Sequence, residues 1–434
     1  MKTNLVLTQP QNKIAALGFM WNMLHDPLHT LTELACEKGD IARVKLCRQE
    51  LFLLNHPEFI EQVLVKQQEN FIKRTSEQHT QIILGEGLLT SEGKENLAQH
   101  RIFQSAFHRQ RMEEYLPAIN ENTFAHVSKW QTGARVDVST EMIRLTLYIS
   151  LWLFFGCVTE GTLERFSKSM PTLTRLFPLA PLPNTVHKLF PKFIQARADL
   201  HQVAESLLKN SQTEGKGILI SLLKENNNGQ FTYEQIHAYA LTFLLAGHEK
   251  TALLLTWCWD MLAHHPQVQE KLQAETDRVI GNRFPTMEEI QNLPYTNRVV
   301  KETLRMRPPV WAIGRQALKD CEIGGQHIPK NSTVIVSQWV THHDARFYDA
   351  PYQFLPERWE NLEKLPRYAF FPFGGGSRTC NAEHLAMTEV IVILTMIARR
   401  WNVSPTQVEP ATPTPGVTLR TNKNVKLIVG RRDV

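Results

Sequence analysis

The stretch Phe371-Pro-Phe-Gly-Gly-Gly-Ser-Arg-Thr-Cys-Asn-Ala382, directly before a run of helical periodicity, holds the residues best suited to chemistry. Its three glycines open backbone angles closed to other residues and let the chain approach a flat ligand closely. Cys380 at the start of the helix would have its thiolate stabilised by the helix dipole and by free backbone N–H groups. Arg378 offers a rigid fork to a carboxylate. Taken alone, the same residues would also serve as a glycine turn, a helix cap and a buried structural cysteine. A second constellation is Lys301-Glu-Thr-Leu-Arg305, where Glu302 and Arg305 share one helix face at i, i+3. A third is Pro356-Glu-Arg-Trp359, which follows Phe354 in a proline-bounded loop. Each of these last two, alone, reads as an ordinary ion pair or an ordinary loop.

These residues need a scaffold, and the chain has the length for one. Of its 434 residues, 42% are apolar and 21% charged, which excludes a disordered chain. Lys and Arg number 48 against 43 Asp and Glu, a net +5 that is no nucleic-acid signature and suits a local basic patch for an acidic partner. Six cysteines with no C-x-x-C pair argue against a disulfide scaffold or a structural zinc and for a reducing compartment. The first 27 residues show neither a long apolar core nor a signal-cleavage pattern. The greasiest run, 145–158, is about 14 residues, short of the roughly 20 of a membrane span. A cytoplasmic protein with no membrane span is expected.

Helical periodicity dominates, over 57–70, 95–108, 111–131, 139–157, 191–209, 232–263, 265–280, 295–306 and 383–401. The long segment 232–263 opens with a capping box, Thr232 to Gln235, and is apolar on nearly all sides, so it should cross the middle of the molecule. Strands are expected at 41–46 and 51–54, and a hairpin over 321–328 turning on Gly324-Gly325. Proline-rich 177–191 and 405–415 read as loops between packed elements. The expected fold is mostly α and a single domain: an N-terminal segment to about residue 35, β portions in 36–56 and 314–337, a central helix 232–263, and the cysteine loop with its helix at 371–401.

The order and spacing of E-x-x-R, P-E-R and F-x-x-G-x-R-x-C resemble the cytochrome P-450 family of haem-thiolate monooxygenases. Phe373, Gly376, Arg378 and Cys380 stand in the cysteine motif, continued by Ala386 and Glu389, and His342-His343-Asp344 before PERW also fits. The resemblance is dense from about residue 230 to 402 and thinner before that. It implies haem b, iron protoporphyrin IX, with Cys380 as axial thiolate. It makes Glu302, Arg305 and Arg358 a buried structural lock behind the loop, and Arg378, Arg315 and His100 donors to the haem propionates. Around His100 the match is imperfect, because the family's W-x-x-x-R helix has Asn96 and His100 at its two marked positions.

Ala246-Gly-His-Glu-Lys-Thr251 resembles the family's oxygen-binding segment, which implies that Ala246 and Gly247 make room for dioxygen and that Glu249 and Thr251 serve proton delivery. The alcohol that normally follows the acid is here Lys250. Its ammonium could deliver protons, hold an anionic substrate group, or ligate the iron when neutral; it could also turn away and pair with Glu249 or a carbonyl. Tyr239, Phe243, Trp311, Ala312 and Ile313, with 177–190 as a roof, stand where the family lines its pocket, and their apolar character implies a lipophilic substrate. The chain has no flavin or nicotinamide fingerprint, so electrons for O2 would come from a separate ferredoxin or flavodoxin with its reductase, docking on Arg101, Arg109 and Arg111. The alternatives are a peroxide-driven or redox-neutral enzyme in which Lys250 positions an anionic substrate, and a non-catalytic haem sensor.

Overall fold

A computed structural model describes residues 13–46, 49–73, 81–176, 190–214, 216–225, 231–360 and 365–433. The fold is mostly α with small β-sheets. The chain forms two compact units, each assembled from separated stretches. One comprises Met1–Thr75, Lys301–Cys380 and Pro413–Arg420; the other Ser76–Val300, Asn381–Thr412 and Thr421–Val434.

The first unit is organised by a five-stranded sheet. Gln49–Leu54 pairs antiparallel with Ile41–Leu46 and parallel with Thr333–Val336; that strand pairs antiparallel with Ile313–Ala317, which in turn pairs with Phe71–Lys73. The run Leu51–Leu54 is continuously apolar because both faces of its strand are covered. Leu51 and Leu53 pack with Leu31, Ala42 and Val340 on one side, and Phe52 and Leu54 with Ile60, Val334 and Phe371 on the other. The segment 57–70, expected as one helix, is instead a short α-helix Pro57–Glu61, a wide π-type turn Gln62–Lys66 and a 3-10 turn Gln68–Asn70. The hairpin forms as expected, Cys321–Ile323 against Gln326–Ile328, with φ of +57° and +78° at Gly324 and Gly325.

The second unit is a helical assembly. Glu249–His264 packs on Val138–Phe155, and Glu383–Arg400 packs on Met112–Val127 and Pro266–Val279. The capping box forms in both directions, Gln235 N–H to Thr232 Oγ1 at 3.3 Å and Thr232 N–H to Gln235 Oε1 at 3.0 Å. Val138–Phe155 begins seven residues before the apolar run 145–158 and ends inside it, capped by Gly156. Among the described residues it is the helix long and apolar enough to cross a membrane, and 67% of it is buried inside the protein.

The expected continuous helix 232–263 is two helices, Tyr233–Ala246 and Glu249–His264, separated at Gly247-His248. The interruption has a local cause. His248 Nδ1 lies 3.0 Å from Leu244 O, the carbonyl that its own backbone N–H would take in a regular helix. Its carbonyl is shared between Ala252 N–H at 2.9 Å and the Thr146 hydroxyl at 3.3 Å. A Cβ at Gly247 would lie 2.6 Å from both the Phe154 ring and Phe243 O, so only glycine permits this close packing.

Candidate active site

In the first unit, the Glu302 carboxylate is fully buried and accepts five hydrogen bonds. They come from Arg305 Nε (2.9 Å) and Nη2 (2.8 Å), Arg358 Nε (2.9 Å), Trp359 Nε1 (2.8 Å) and Leu355 N–H (3.1 Å). Arg305, equally buried, donates its remaining protons to the carbonyls of His342 (2.8 Å), Pro351 (2.7 Å) and Gln353 (3.3 Å), and its guanidinium lies 5.1 Å from the Tyr348 ring centre. Arg358 reaches the carbonyls of Asp349 (2.6 Å) and Ala350 (3.1 Å). Desolvating such charges costs several kcal/mol per ion, and the cost is offset only because nearly every donor finds an acceptor. The structure thus brings Glu302, Arg305 and Arg358 together. It adds Trp359, the last residue of the PERW motif, as a further member.

The cysteine loop folds back on itself. Gly374 N–H bonds Phe371 O, Thr379 N–H bonds Gly376 O at 3.2 Å, and Cys380 N–H bonds Phe373 O at 3.0 Å. Gly374 and Gly376 have φ of +78° and +70°, a region that penalises any side chain. At Gly376 a Cβ would collide with Leu64 O, in the π-type turn. Gln68, two residues beyond that turn, accepts Ser377 N–H at 2.8 Å, an anchor with no sequence motif to announce it. The Ile313 side chain borders the loop, its Cδ1 lying 3.6 Å from where a Gly374 Cβ would be. Arg378 lies in the 3-10 turn just before Cys380, and the Cys380 thiol is exposed and in no disulfide. Arg315 is half-buried on its strand and donates to Gly314 O. The Trp311 indole donates to Gly416 O at 3.0 Å, and its ring covers the Leu31–Val340 side of the sheet.

In the second unit, Ala246 and Gly247 close the first half of the interrupted helix and Glu249, Lys250 and Thr251 open the second. Thr251 is buried, while Glu249 and Lys250 are half-buried. The Lys250 side chain has no hydrogen bond or ion pair with any described residue, so its pairing with Glu249 or a carbonyl is not formed. Tyr239 and Phe243 are buried in an aromatic cluster with Phe103, Phe107 and Phe154. Among the described residues the Tyr239 hydroxyl and Thr242 Oγ1 have no hydrogen-bond partner, and burial pushes the Tyr239 phenol up to about 12. Asn96 is buried and donates to Leu88 O at 2.8 Å, while His100 O accepts from Asn381 Nδ2 at 3.4 Å. Arg101 and Arg109 are exposed, and Arg111 lies 3.6 Å from Glu114.

The expected roof, 177–190, lies almost wholly outside the described residues. A cavity of ≈ 1160 Å³ in the second unit, lined by His126, Trp130, Glu141, Arg144 and Tyr148 among others, contains none of the residues singled out from the sequence.

A glycine-turned cysteine loop anchored beside a buried Glu–Arg–Arg–Trp network, in a mostly helical chain, is the build of a haem-thiolate enzyme. The family description "Cytochrome P450" matches residues 9–429, and the chain belongs to that family. It is 32% identical to cyclooctatin synthase of Streptomyces melanosporofaciens over 94% of this chain and 90% of that protein. It is 29% identical to cyclooctat-9-en-7-ol 5-monooxygenase of the same organism, over 90% and 88%, and 28% identical to pentalenene oxygenase of Streptomyces avermitilis, over 92% and 90%. The protein is therefore a haem-thiolate monooxygenase, an oxidoreductase that uses O2, electrons from redox partners and a lipophilic substrate.

Proposed function

We propose that Cys380 is the thiolate ligand of haem b and that the enzyme oxygenates a lipophilic, unsaturated hydrocarbon or its alcohol. The supporting observation is the exposed thiol at the end of a loop whose backbone is held by its own hydrogen bonds and by positive-φ glycines, so that the donor is presented without dependence on a flexible side chain. A thiolate-ligated haem supplies dioxygen activation, the sulfur pushing electron density toward O–O cleavage. This chain's residues do the rest. Phe373 and Gly376 shape the loop, and its N–H groups tune the sulfur. Arg378, Arg315 and His100 hold the propionates. Ala246 and Gly247 leave room on the oxygen side. Glu249, Lys250 and Thr251 bring protons inward, with the ammonium of Lys250, uncommitted to any described partner, standing in for the usual alcohol.

The substrate class rests on the relatives, one named for an alkenol and one for an alkene, and on the apolar Tyr239, Phe243, Trp311 and Ile313. The electron donor is a ferredoxin or flavodoxin with its reductase, docking on Arg101, Arg109 and Arg111. None of the five described cysteines is in a disulfide, and a reducing cytoplasm is part of this reading.

The test is the ferrous–CO spectrum of wild type and Cys380→Ala, followed by turnover of a cyclic alkenol with a surrogate ferredoxin and, separately, a surrogate flavodoxin. A thiolate-type band confined to wild type and product with one of these donors support the proposal. A thiolate-type band in Cys380→Ala overturns the ligand assignment. Product with peroxide alone and with neither donor overturns the electron route.

A further inference from the structure

His342 and His343 are adjacent, both buried, and built for different tasks. His343 turns inward on its own helix, Nδ1 lying 2.7 Å from Trp339 O, with its ring stacked on Tyr352. His342 reaches across the fold. Its Nε2 accepts the backbone N–H of Phe371 at 3.1 Å, and its carbonyl accepts Arg305 Nη1 at 2.8 Å. Its ring lies 5.1 Å from the Phe370 ring and 5.4 Å, edge-on, from that of Phe371. The side chain is 0% exposed. Burial, His343 and Arg305 keep the ring neutral, and because Nε2 is the acceptor the proton resides on Nδ1.

Phe371 is where the cysteine loop begins. The next residue, Pro372, has no N–H. Phe371 N–H is thus the last backbone donor before Pro372, and Phe371 is 3% exposed, so an unmet donor there would be costly. The Phe371 carbonyl accepts Gly374 N–H, and two residues on Phe373 O accepts Cys380 N–H. Tyr348, whose ring faces Arg305, holds the same entry by donating its hydroxyl to Ala369 O at 3.0 Å. A fixed guanidinium therefore has two short connections to the residues that start the loop.

We propose that His342 is a positioning residue that carries the rigidity of the Glu302–Arg305 network into the cysteine loop through its bond to Phe371 N–H. The proposal deepens the reading of Cys380 as the haem ligand and rests on it, but the hydrogen bond itself can be tested without haem. The variants are His342→Leu, which fills similar space with no acceptor, and His342→Gln, which offers an amide oxygen.

Amide hydrogen exchange, read on the full chain, should accelerate at Phe371 about tenfold in His342→Leu, the loss expected for one buried hydrogen bond, with the amides of Glu249–His264 unchanged. In the haem-loaded protein the same variant should shift part of the ferrous–CO spectrum from the thiolate-type to the thiol-type band, and His342→Gln should restore much of both. Equal Phe371 protection in wild type and His342→Leu overturns the proposal, as does accelerated exchange with an unaltered thiolate band. If His342→Leu does not fold, wild type decides: Phe371 must be among the slowest-exchanging amides, and exchange at the rate of an exposed loop overturns it. Failure of the ligand reading is recognised separately, by a thiolate band that survives Cys380→Ala.

Discussion

From Phe371 to Cys380, backbone groups bond within the loop or to His342 and Gln68, and two glycine angles exclude alternatives. From Tyr239 to Thr251 the polar groups are much less committed. Among the described residues the Tyr239 and Thr242 hydroxyls and the Lys250 side chain have no partner, and the helix itself is interrupted at Gly247-His248. A loop that presents a single donor to a metal gains from being over-determined, because small displacements of a ligand alter its bond. A segment that must admit a small molecule and move protons gains from groups that are not already satisfied by the protein. The family motif is intact in the first region and altered in the second, at Lys250.

The largest expected effect falls on the over-determined side. Cys380→Ala should abolish monooxygenation and the thiolate-type CO band yet leave the fold unchanged, because the loop bonds run through backbone atoms and not through sulfur. Far-UV circular dichroism and the melting temperature check the second half of that statement. A collapse of the fold would show that the loop is held by its ligand and not by its own bonds.

Glu302→Ala should come next. It strips five donors of their common acceptor and leaves Arg305 buried with no counter-charge. Breaking one side of such a pair costs about 3–5 kcal/mol. Denaturant unfolding should register this, and the yield of haem-loaded protein should fall. Normal stability would mean that the network contributes nothing to holding the loop.

A smaller effect probes a buried acid in the second unit. Glu389, 2% exposed on the helix Glu383–Arg400, has an oxygen with no hydrogen-bond partner among the described residues, and burial pushes its carboxyl up from 4.5 to about 8. Between these values the folded protein holds a proton that the unfolded chain has released. The stability contributed by this group is therefore fully present below about pH 4.5 and is lost as the pH rises to about 8. Glu389→Gln removes the titration. The variant should gain on wild type as the pH rises from 5 to 8, by on the order of a few kcal/mol at the upper end. Parallel stability curves over that window would mean that Glu389 is solvated or paired when folded.

The two regions also differ in how far they can be read without coordinates. The cysteine loop and the E-x-x-R and P-E-R segments are ordered motifs with fixed spacing, so Cys380, Arg378, Glu302, Arg305 and Arg358 are visible as a set. Trp359 stands inside the same motif, and its N–H bond to Glu302 could have been inferred from the need to satisfy a buried carboxylate. Gln68 could not, because its partner Ser377 is 309 residues away and no pattern links them. The break at Gly247-His248 was hidden because glycine in an apolar helical run costs only about 1 kcal/mol and is often tolerated. It is the close approach of Phe154, a tertiary contact, that gives Gly247 its meaning. Strand 401–405 escaped for a related reason: a short run at the edge of helical periodicity does not declare its period.

The smallest expected effect, and the one that bears most directly on the uncommitted region, concerns Lys250. If its free ammonium takes the place of the alcohol in proton delivery, Lys250→Thr should retain substantial turnover, since a hydroxyl can do the same work. Lys250→Ala should consume electrons with less product and more hydrogen peroxide. Efficiency per electron should fall about tenfold or more, near the lower end of what a positioned proton donor contributes. Substrate affinity should change little in either variant, because a proton donor makes no demand on the substrate's charge. If Lys250 instead holds an anionic group, both variants should weaken binding of a carboxylate-bearing substrate by about 1.5–3 kcal/mol, the range for a hydrogen bond to a charged group, while a neutral alkenol would be unaffected. Affinity and product per electron, measured for wild type, Thr and Ala with one neutral and one carboxylate substrate, separate the two roles. Unchanged values throughout would return Lys250 to the solvated surface and confine the contrast between the regions to the helix break and its unpartnered hydroxyls.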